Sequence, residues 1–315
     1  MKRPNHLRLT PAFVLMVLTI GAQVASAANE RTFVSVKGED NAFCSAEAPC
    51  RHLQQAVAKT AAGGEVRVLD SGEFGAVRIT RSVRILASPT ARAAIEVGKS
   101  ANEGSGRGVL IDAPGAEVYL EGLAIRADGA AIGVQVRNAA TVGVEDCEIS
   151  GFQHKGIFVA AETKASIRHT TFRDNLMAVD SSARSLVIDG SVFFSNQTAV
   201  YTDQSARITD TSITGDVNSE FGIVGHAPNG RSVQISVERS TLIGTAVALY
   251  SHTDETTGSV LLDVNHSALF GNGSAFYAEG PSGSGVAKID GHLLTSIDAA
   301  TVAGARRFVK YEAHD

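Results

Sequence analysis

The sequence predicts an all-β fold, a right-handed parallel β-helix in which three sheets form a solenoid of about 8–10 coils. Three observations predict it. A hydrophobic pattern recurs at intervals of 20 to 29 residues, each repeat contains three short strands, and no segment between repeats is long enough for a crossover helix. The composition agrees, because 31 glycines, 6% aromatic residues and no tryptophan suit tight turns and stacked layers better than a core of large side chains.

The amino-terminal residues have the features of a secretory leader. Basic residues precede an apolar run over residues 12–22, and Ala25-Ser26-Ala27 supplies the small residues that a signal peptidase accepts. We therefore expect residues 1–27 to be a signal peptide and the mature chain to be secreted or periplasmic. No later apolar stretch approaches ~20 residues, so membrane insertion is not expected. Without the leader, 25 basic residues oppose 33 acidic ones, which disfavours nucleic-acid binding.

Residues 28–64 are predicted to form a disulfide loop followed by a capping helix. Cys44 and Cys50 have five residues between them, and in an oxidising compartment such neighbours usually pair. The segment from Leu53 to Thr60 places apolar residues on one helical face, and the double glycine after it is a helix stop. The helix would cover the strand edges of the first coil.

Residues 65–295 are predicted to form the β-helix, with three columns of inward-facing residues. The first column is Leu120, Val144, Ile167, Ile188, Ile208, Val237, Val264 and Ile289. The second column, five residues later, is Ile125, Ile149, Phe172, Phe193, Ile213, Leu242, Leu269 and Leu294. The third column, preceded each time by Ala or Gly, is Ile132, Ile157, Val179, Val200, Ile223, Leu249 and Phe276. The alternative, a β-sandwich, would show hairpin turns without a three-strand period. Residues 296–315 depart from the pattern and are expected to be a cap or tail.

The segment from Cys50 to Leu86, with "LQQAVAKTAAGG" and "VRITRSVRIL", resembles the opening of pectate-lyase-like β-helix proteins. The later repeats resemble those of polysaccharide lyases, hydrolases and epimerases, and this resemblance implies an interaction with polysaccharide. The sequence contains no paired aspartates followed by Gly-His-Gly, no Asp-Pro-His-Asp and no paired-arginine motif, which are the catalytic signatures of such families. A shared fold is a weaker indication of function than a shared site.

The outer face of the third sheet is the predicted functional surface. Residues one and three positions after each third-column residue should point outward. The first of these outward columns supplies candidate carbohydrate-binding residues: Phe158, Asp180, Tyr201, Tyr250 and Tyr277. The second supplies candidate catalytic residues: Asp203, His226, His252 and Glu279. Aromatic faces stack on sugars, and a carboxylate beside an imidazole forms an acid/base pair.

No metal or other cofactor is expected. The imidazoles and carboxylates of the second outward column should diverge, because their Cα atoms lie about 5 Å apart in a straight column. A calcium site of the lyase type would need three clustered carboxylates, and only Asp180 with Asp203 approaches such a cluster. The expected partner is a polysaccharide, and the sequence leaves the oligomeric state open.

Three functions remain open from the sequence. The chain is a non-catalytic polysaccharide-binding protein of the envelope or extracellular space, a polysaccharide lyase or hydrolase, or a structural or adhesive solenoid. The missing catalytic signatures favour binding over catalysis. The tyrosines and histidines on the third sheet favour either of these over a purely structural role.

Overall fold

The computed structural model describes residues 29–88, 90–98, 106–129, 132–160, 162–254, 258–280, 285–290 and 309–312. The predicted signal peptide and most of the predicted carboxy-terminal cap lie outside these ranges. Within them, no helix has the length and apolar character needed to cross a lipid bilayer.

Three parallel sheets wind into a right-handed solenoid of about eight coils, so the predicted fold class is confirmed. The first sheet consists of Asn29–Val34, Thr60–Val68, Val83–Ala87, Glu117–Glu121, Thr141–Glu145, Lys164–Arg168, Ser185–Asp189, Ala206–Thr209, Ser232–Glu238, Ser259–Asn265, Gly285–Asp290 and Val309–Glu312. The second sheet consists of Gly72–Glu73, Ala93–Val97, Leu123–Gly129, Glu148–Phe152, Thr171–Arg173, Val192–Phe194, Ser212–Thr214, Thr241–Ile243 and Ala268–Phe270. The third sheet consists of Val77–Ile79, Arg107–Asp112, Ile132–Asn138, Lys155–Val159, Met177–Ser181, Thr198–Thr202, Phe221–Ala227, Val247–Thr253 and Ser274–Glu279.

The strand register confirms the first two columns wherever the chain is described, because each column residue pairs with its counterpart in the next coil. The third column is correct from Ile157 onward, but its first member is wrong. Val134, and not Ile132, pairs with Ile157. Both residues are buried on the same face, so a slip of two positions keeps the hydrophobic pattern intact. Gln135 therefore takes the outward place next to Phe158.

The amino-terminal cap contains the helix Leu53–Lys59, which packs against the first two strands of the first sheet and the first strand of the third sheet. Its first amide, Leu53 N–H, donates to Phe74 O at 3.0 Å, and Arg78 N–H donates to Gln54 Oε1 at 2.8 Å. The helix ends earlier than the sequence predicts. Thr60 closes it by donating its hydroxyl to Ala56 O, and the double glycine lies within the next strand.

A strand that the sequence analysis missed, Asn29–Val34, adds an edge to the first sheet beside the cap. The predicted disulfide between Cys44 and Cys50 is present. Both cysteines hydrogen-bond through their backbones to this strand, since Phe33 N–H donates to Cys44 O at 2.8 Å and Cys50 N–H donates to Phe33 O at 2.9 Å. The disulfide loop therefore covers the first coil together with the helix.

The corner between the first and second sheets has the same construction in most coils. A residue with positive φ stands two positions after the first column, namely Gly122, Asp146, His169, Gly190, Asp210, Arg239 and His266. Next to it runs a ladder of buried hydroxyl groups. Thr170 N–H donates to Ser191 Oγ at 3.2 Å, and Ser240 N–H donates to Ser267 Oγ at 3.1 Å. At these positions a hydroxyl group of one coil thus satisfies a buried amide of the coil before it.

The corner between the second and third sheets contains a ladder of buried asparagines. Asn196 Oδ1 accepts from the backbone N–H of Asn175 at 3.1 Å and from its side-chain amide at 2.9 Å. The Asn196 amide in turn donates to Phe172 O at 3.0 Å. Beneath the ladder, the rings of Phe172 and Phe193 stack with centroids 4.7 Å apart. This corner is therefore both hydrogen-bonded and tightly packed.

Candidate functional site

The outer face of the third sheet changes character along the solenoid axis. In the earlier coils, the Lys155 ammonium lies 4.1 Å from the centroid of the Phe158 ring and forms an ion pair with Asp180. The Asp180 residue is only 8% exposed. Two of the predicted carbohydrate-binding residues, Phe158 and Asp180, therefore already share an internal partner.

In the later coils, four side chains from three strands and one turn form a continuous polar network. The Tyr201 hydroxyl lies 2.6 Å from His226 Nδ1. Asp254 lies between the two histidines, with Oδ2 3.1 Å from His226 Nε2 and Oδ1 3.0 Å from His252 Nε2. The imidazole centroids are 5.1 Å apart. The predicted His226 and His252 are thus brought together, with Asp254 as their common neighbour.

The expected divergence of this column is wrong for the two histidines. Strands Phe221–Ala227 and Val247–Thr253 pair directly, with His226 opposite His252. Asp254 follows the second of these strands, so its carboxylate approaches both rings from the side of the turn. Among the described residues, His226, His252 and Asp254 form the one group of at least three potential metal ligands, with ligand atoms within 4.8 Å of one another.

An aromatic cluster lies next to the network. The Tyr250 ring lies 5.6 Å from the Tyr277 ring and 5.0 Å from the Phe221 ring, measured between centroids. The Tyr250 hydroxyl donates to Glu279. Its ring is also 6.3 Å from that of His252. The predicted residues Tyr250, Tyr277 and Glu279 therefore form one surface with the polar network.

Asp203 lies at the other end of the network. Its Oδ2 accepts a hydrogen bond from Ser182 Oγ at 3.0 Å. Its Oδ1 is buried and has no hydrogen-bond partner among the described residues. Within the same part of the chain, His226 Nε2 and His252 Nδ1 are also buried without a well-directed partner. Unsatisfied buried polar atoms are uncommon and call for an explanation.

The electrostatic environment keeps Tyr201 and Tyr250 neutral and Asp254 ionised. Burial raises the pKa of Tyr201 to about 12, and Asp203, Asp180 and Asp254 add to the effect. Burial and the hydrogen bond to Glu279 raise the pKa of Tyr250. The contact with His226 lowers the pKa of the Asp254 carboxyl. At neutral pH the surface therefore presents phenol hydroxyls beside a carboxylate.

Sequence reasoning missed Asp254 and Phe221. Asp254 stands two residues after His252, and residues two apart share a face of a strand. Extending the outward columns to the fifth position after Leu249 would have found it. Phe221 stands two residues before Ile223, on the part of the strand that precedes the buried column. Residues 255–257 and 281–284 lie outside the described ranges.

A cleft elsewhere on the molecule is less suited to a ligand. It has a volume of about 500 Å³ and lies at the corner between the first and second sheets. Of the two arginines that line it, Arg126 is paired with Glu148 at 3.2 Å, and Glu148 also accepts from Arg173 at 2.9 Å. These charges neutralise one another, so the third sheet remains the better candidate.

The comparisons with known proteins agree with the fold. Residues 76–217 match the family described as "Right handed beta helix region". The crystal structure of pectate lyase Pel9A is similar with a TM-score of 0.59 and 12% sequence identity, over 90% of this chain and 80% of that one. At this identity the similarity establishes the fold alone. The fold of this chain is accordingly a right-handed parallel β-helix similar to that of pectate lyase Pel9A.

A second solved structure is more distant. The enzymatically active domain of bacteriophage CBA120 tailspike protein 2 gives a TM-score of 0.43 and 11% identity, over 76% of this chain and 40% of that one. This score is too low to support a conclusion. The sequence matches no curated protein.

Proposed function

We propose that this protein binds a polysaccharide along the outer face of the third sheet without a required catalytic step. The observation that carries the proposal is the adjacency of the Tyr250 and Tyr277 rings, 5.6 Å apart on neighbouring strands. Aromatic rings in such a row offer apolar faces to successive sugars. The neighbouring His252 and Glu279 side chains offer hydrogen bonds to sugar hydroxyls.

The charges on this surface favour a neutral polysaccharide. Asp203, Asp254 and Glu279 lie along it, and the nearby Lys155 is paired with Asp180. A polyuronate would bring further carboxylates next to these acids and would be repelled. The similarity in fold to a pectate lyase supports polysaccharide as the class of partner. The acidic surface, however, argues against pectate itself.

Secretion belongs to the same proposal. The amino-terminal leader pattern and the Cys44–Cys50 disulfide support an extracellular or periplasmic location. A polysaccharide of the envelope or the surroundings would be accessible to the protein there. Detection of the mature chain in a periplasmic or culture fraction tests this part independently of ligand binding.

Catalysis is a second candidate, favoured by the contact between Tyr201 and His226. An imidazole held between a phenol and a carboxylate can move a proton. Hydrolysis by Asp203 and Glu279 is less favoured, because the register separates them by three strand spacings, roughly 14 Å. Glycosidase carboxylates lie about 5–9.5 Å apart.

The decisive experiment measures binding of the mature chain to an array of neutral and acidic glycans. Replacing Tyr250 by Ala should weaken binding about tenfold, the equivalent of losing about 1.4 kcal/mol of stacking. Tyr119→Ala is the matched control, because Tyr119 is a partly exposed tyrosine on the first sheet. If no glycan binds, or if both variants bind like the parent, the proposal is wrong.

The same sample separates binding from catalysis. Prolonged incubation with each bound glycan should release no new reducing ends and no unsaturated products absorbing in the ultraviolet. Product release that disappears in His226→Gln would instead establish the second candidate. If no glycan binds and no product forms, the structural or adhesive solenoid is left as the remaining function.

A further inference from the structure

Two imidazole nitrogens and one carboxylate converge at the end of the third-sheet face. His226 Nε2 and His252 Nε2 both face Asp254, at 3.1 Å and 3.0 Å from its two oxygens. All three potential ligand atoms lie within 4.8 Å of one another. In a tetrahedral zinc site with bonds of about 2.0–2.2 Å, ligand atoms lie roughly 3.3 Å apart. Each imidazole nitrogen is already close to that distance from one of the two Asp254 oxygens.

The polar contacts around these atoms are incomplete without a further partner. His226 Nε2 is buried, and its 3.1 Å approach to Asp254 is short enough for an ion pair but poorly directed for a hydrogen bond. The His226 side chain is only 19% exposed. A nitrogen lone pair in this position is left without a suitable protein donor among the described residues.

Tyr201 holds the His226 ring in the orientation that a metal requires. Its hydroxyl lies 2.6 Å from Nδ1, so the Nδ1 proton can be donated to the phenol oxygen while Nε2 keeps its lone pair. Metal-binding histidines commonly have such a partner on their second nitrogen, which fixes both the tautomer and the ring orientation.

We propose that His226 Nε2, His252 Nε2 and the Asp254 carboxylate bind one divalent transition-metal ion, with Zn²⁺ as the best match. Two imidazoles and one carboxylate are a ligand set that zinc accepts, and three protein ligands leave one position open. Ca²⁺ is disfavoured, since it prefers six to eight oxygen ligands. Binding requires the two imidazole rings to approach each other by on the order of 1 Å, which side-chain rotation can supply.

This inference goes beyond polysaccharide binding and does not depend on it. The ligands are protein side chains, so the ion binds whether or not a glycan is present. One of the ligands, His252, is 6.3 Å from the Tyr250 ring, so the bound ion would lie near the aromatic cluster. A water molecule or a sugar hydroxyl can complete the coordination there.

The test uses the mature chain, purified without a histidine tag and treated with EDTA, and measures Zn²⁺ and Ca²⁺ binding by calorimetry. We expect one Zn²⁺ per chain and no comparable Ca²⁺ binding. His252→Gln and Asp254→Asn should each weaken Zn²⁺ at least tenfold. Tyr201→Phe should weaken it about 10- to 100-fold, as a lost partner of a ligating histidine does. His154→Gln, an exposed histidine in an earlier coil, should bind like the parent.

Thermal unfolding with and without Zn²⁺ shows that the variants remain folded. Zn²⁺ should raise the Tm of the parent and of His154→Gln, but not that of Asp254→Asn. The proposal is overturned if the parent binds no Zn²⁺, or if His252→Gln and Asp254→Asn bind it as tightly as the parent does. All measurements omit glycan, and glycan binding can be repeated in EDTA, so failure of one proposal is distinguishable from failure of the other.

Discussion

The asparagine ladder at one corner and the histidine pair on the third-sheet face are both products of stacking, yet they differ in how their polar atoms are satisfied. Asn196 uses its carbonyl and amide groups within the protein, and its residue is 4% exposed. His252 has one nitrogen at Asp254 and the other without a partner among the described residues. Stacking therefore builds stability where the polar groups are satisfied internally, and a potential binding site where they are not.

The largest effect on stability is expected from a substitution in the buried core next to the asparagine ladder. Phe193→Ala should lower the free energy of unfolding by about 3–5 kcal/mol, because it removes a fully buried ring stacked on Phe172. Phe194→Ala is the matched control, since this neighbouring ring is 50% exposed on the opposite face. Urea unfolding followed by circular dichroism measures both variants. Equal losses in the two would contradict the assignment of the strand faces.

A smaller loss is expected when the asparagine ladder itself is interrupted. Asn196→Ala leaves the backbone N–H and side-chain amide of Asn175 without their acceptor. A buried donor without a partner costs about 1–3 kcal/mol, so unfolding free energy should fall by about that amount. Asn218→Ala, in an exposed turn, should change it by less than about 0.5 kcal/mol. A neutral Asn196→Ala would show that the ladder adds nothing to stability.

A substitution on the third-sheet face should instead weaken binding and leave stability almost unchanged. His252→Gln removes a partly exposed ring whose hydrogen bond to Asp254 lies at the surface, so we expect the unfolding free energy to change by less than about 0.5 kcal/mol. The same substitution is expected to weaken Zn²⁺ binding. Urea unfolding in EDTA isolates the stability term. A loss comparable to that of Asn196→Ala would mean that the histidine is part of the structural framework.

The smallest change in stability near neutral pH is expected for Cys147, whose backbone N–H donates to Thr170 Oγ1 at the start of the hydroxyl ladder. Burial raises the pKa of this thiol to about 12, so the thiolate at pH 8 is roughly a thousandfold scarcer than in an unperturbed thiol. Alkylation should be negligible in the folded protein and rapid in urea. The unfolded chain ionises first as pH rises, so this group's contribution to stability is complete below about pH 9 and is lost towards pH 12. Rapid alkylation of the native protein would contradict this placement.

The sequence was sufficient to predict the solenoid, its three sheets and most of its register. The first and second columns are five residues apart in every repeat. This constant spacing permits one alignment of their strands. The third strand of the coil containing Val134 was misaligned because apolar residues occupy three alternate positions there. Periodicity alone cannot distinguish two registers that bury the same face.

The candidate site was only partly predictable. His226, His252, Tyr250 and Glu279 emerged from the outward columns because strands impose that alternation. The role of Asp254 depends on how far the strand continues before the turn, and no local sequence signal sets that boundary. The ion pair of Asp180 with Lys155 depends on side-chain conformation across two coils. Such contacts require the three-dimensional arrangement.

The fixed geometry of the first corner has a consequence for how this protein can change. Its positive-φ residue and hydroxyl ladder recur at the same offset, so an inserted residue there would disrupt hydrogen bonds in two coils. After the third sheet, the distance to the next first-column residue varies from 8 residues after Val200 to 15 after Leu249. That corner can therefore be lengthened, and the outer face of the third sheet varied, while every coil keeps its alignment with its neighbours.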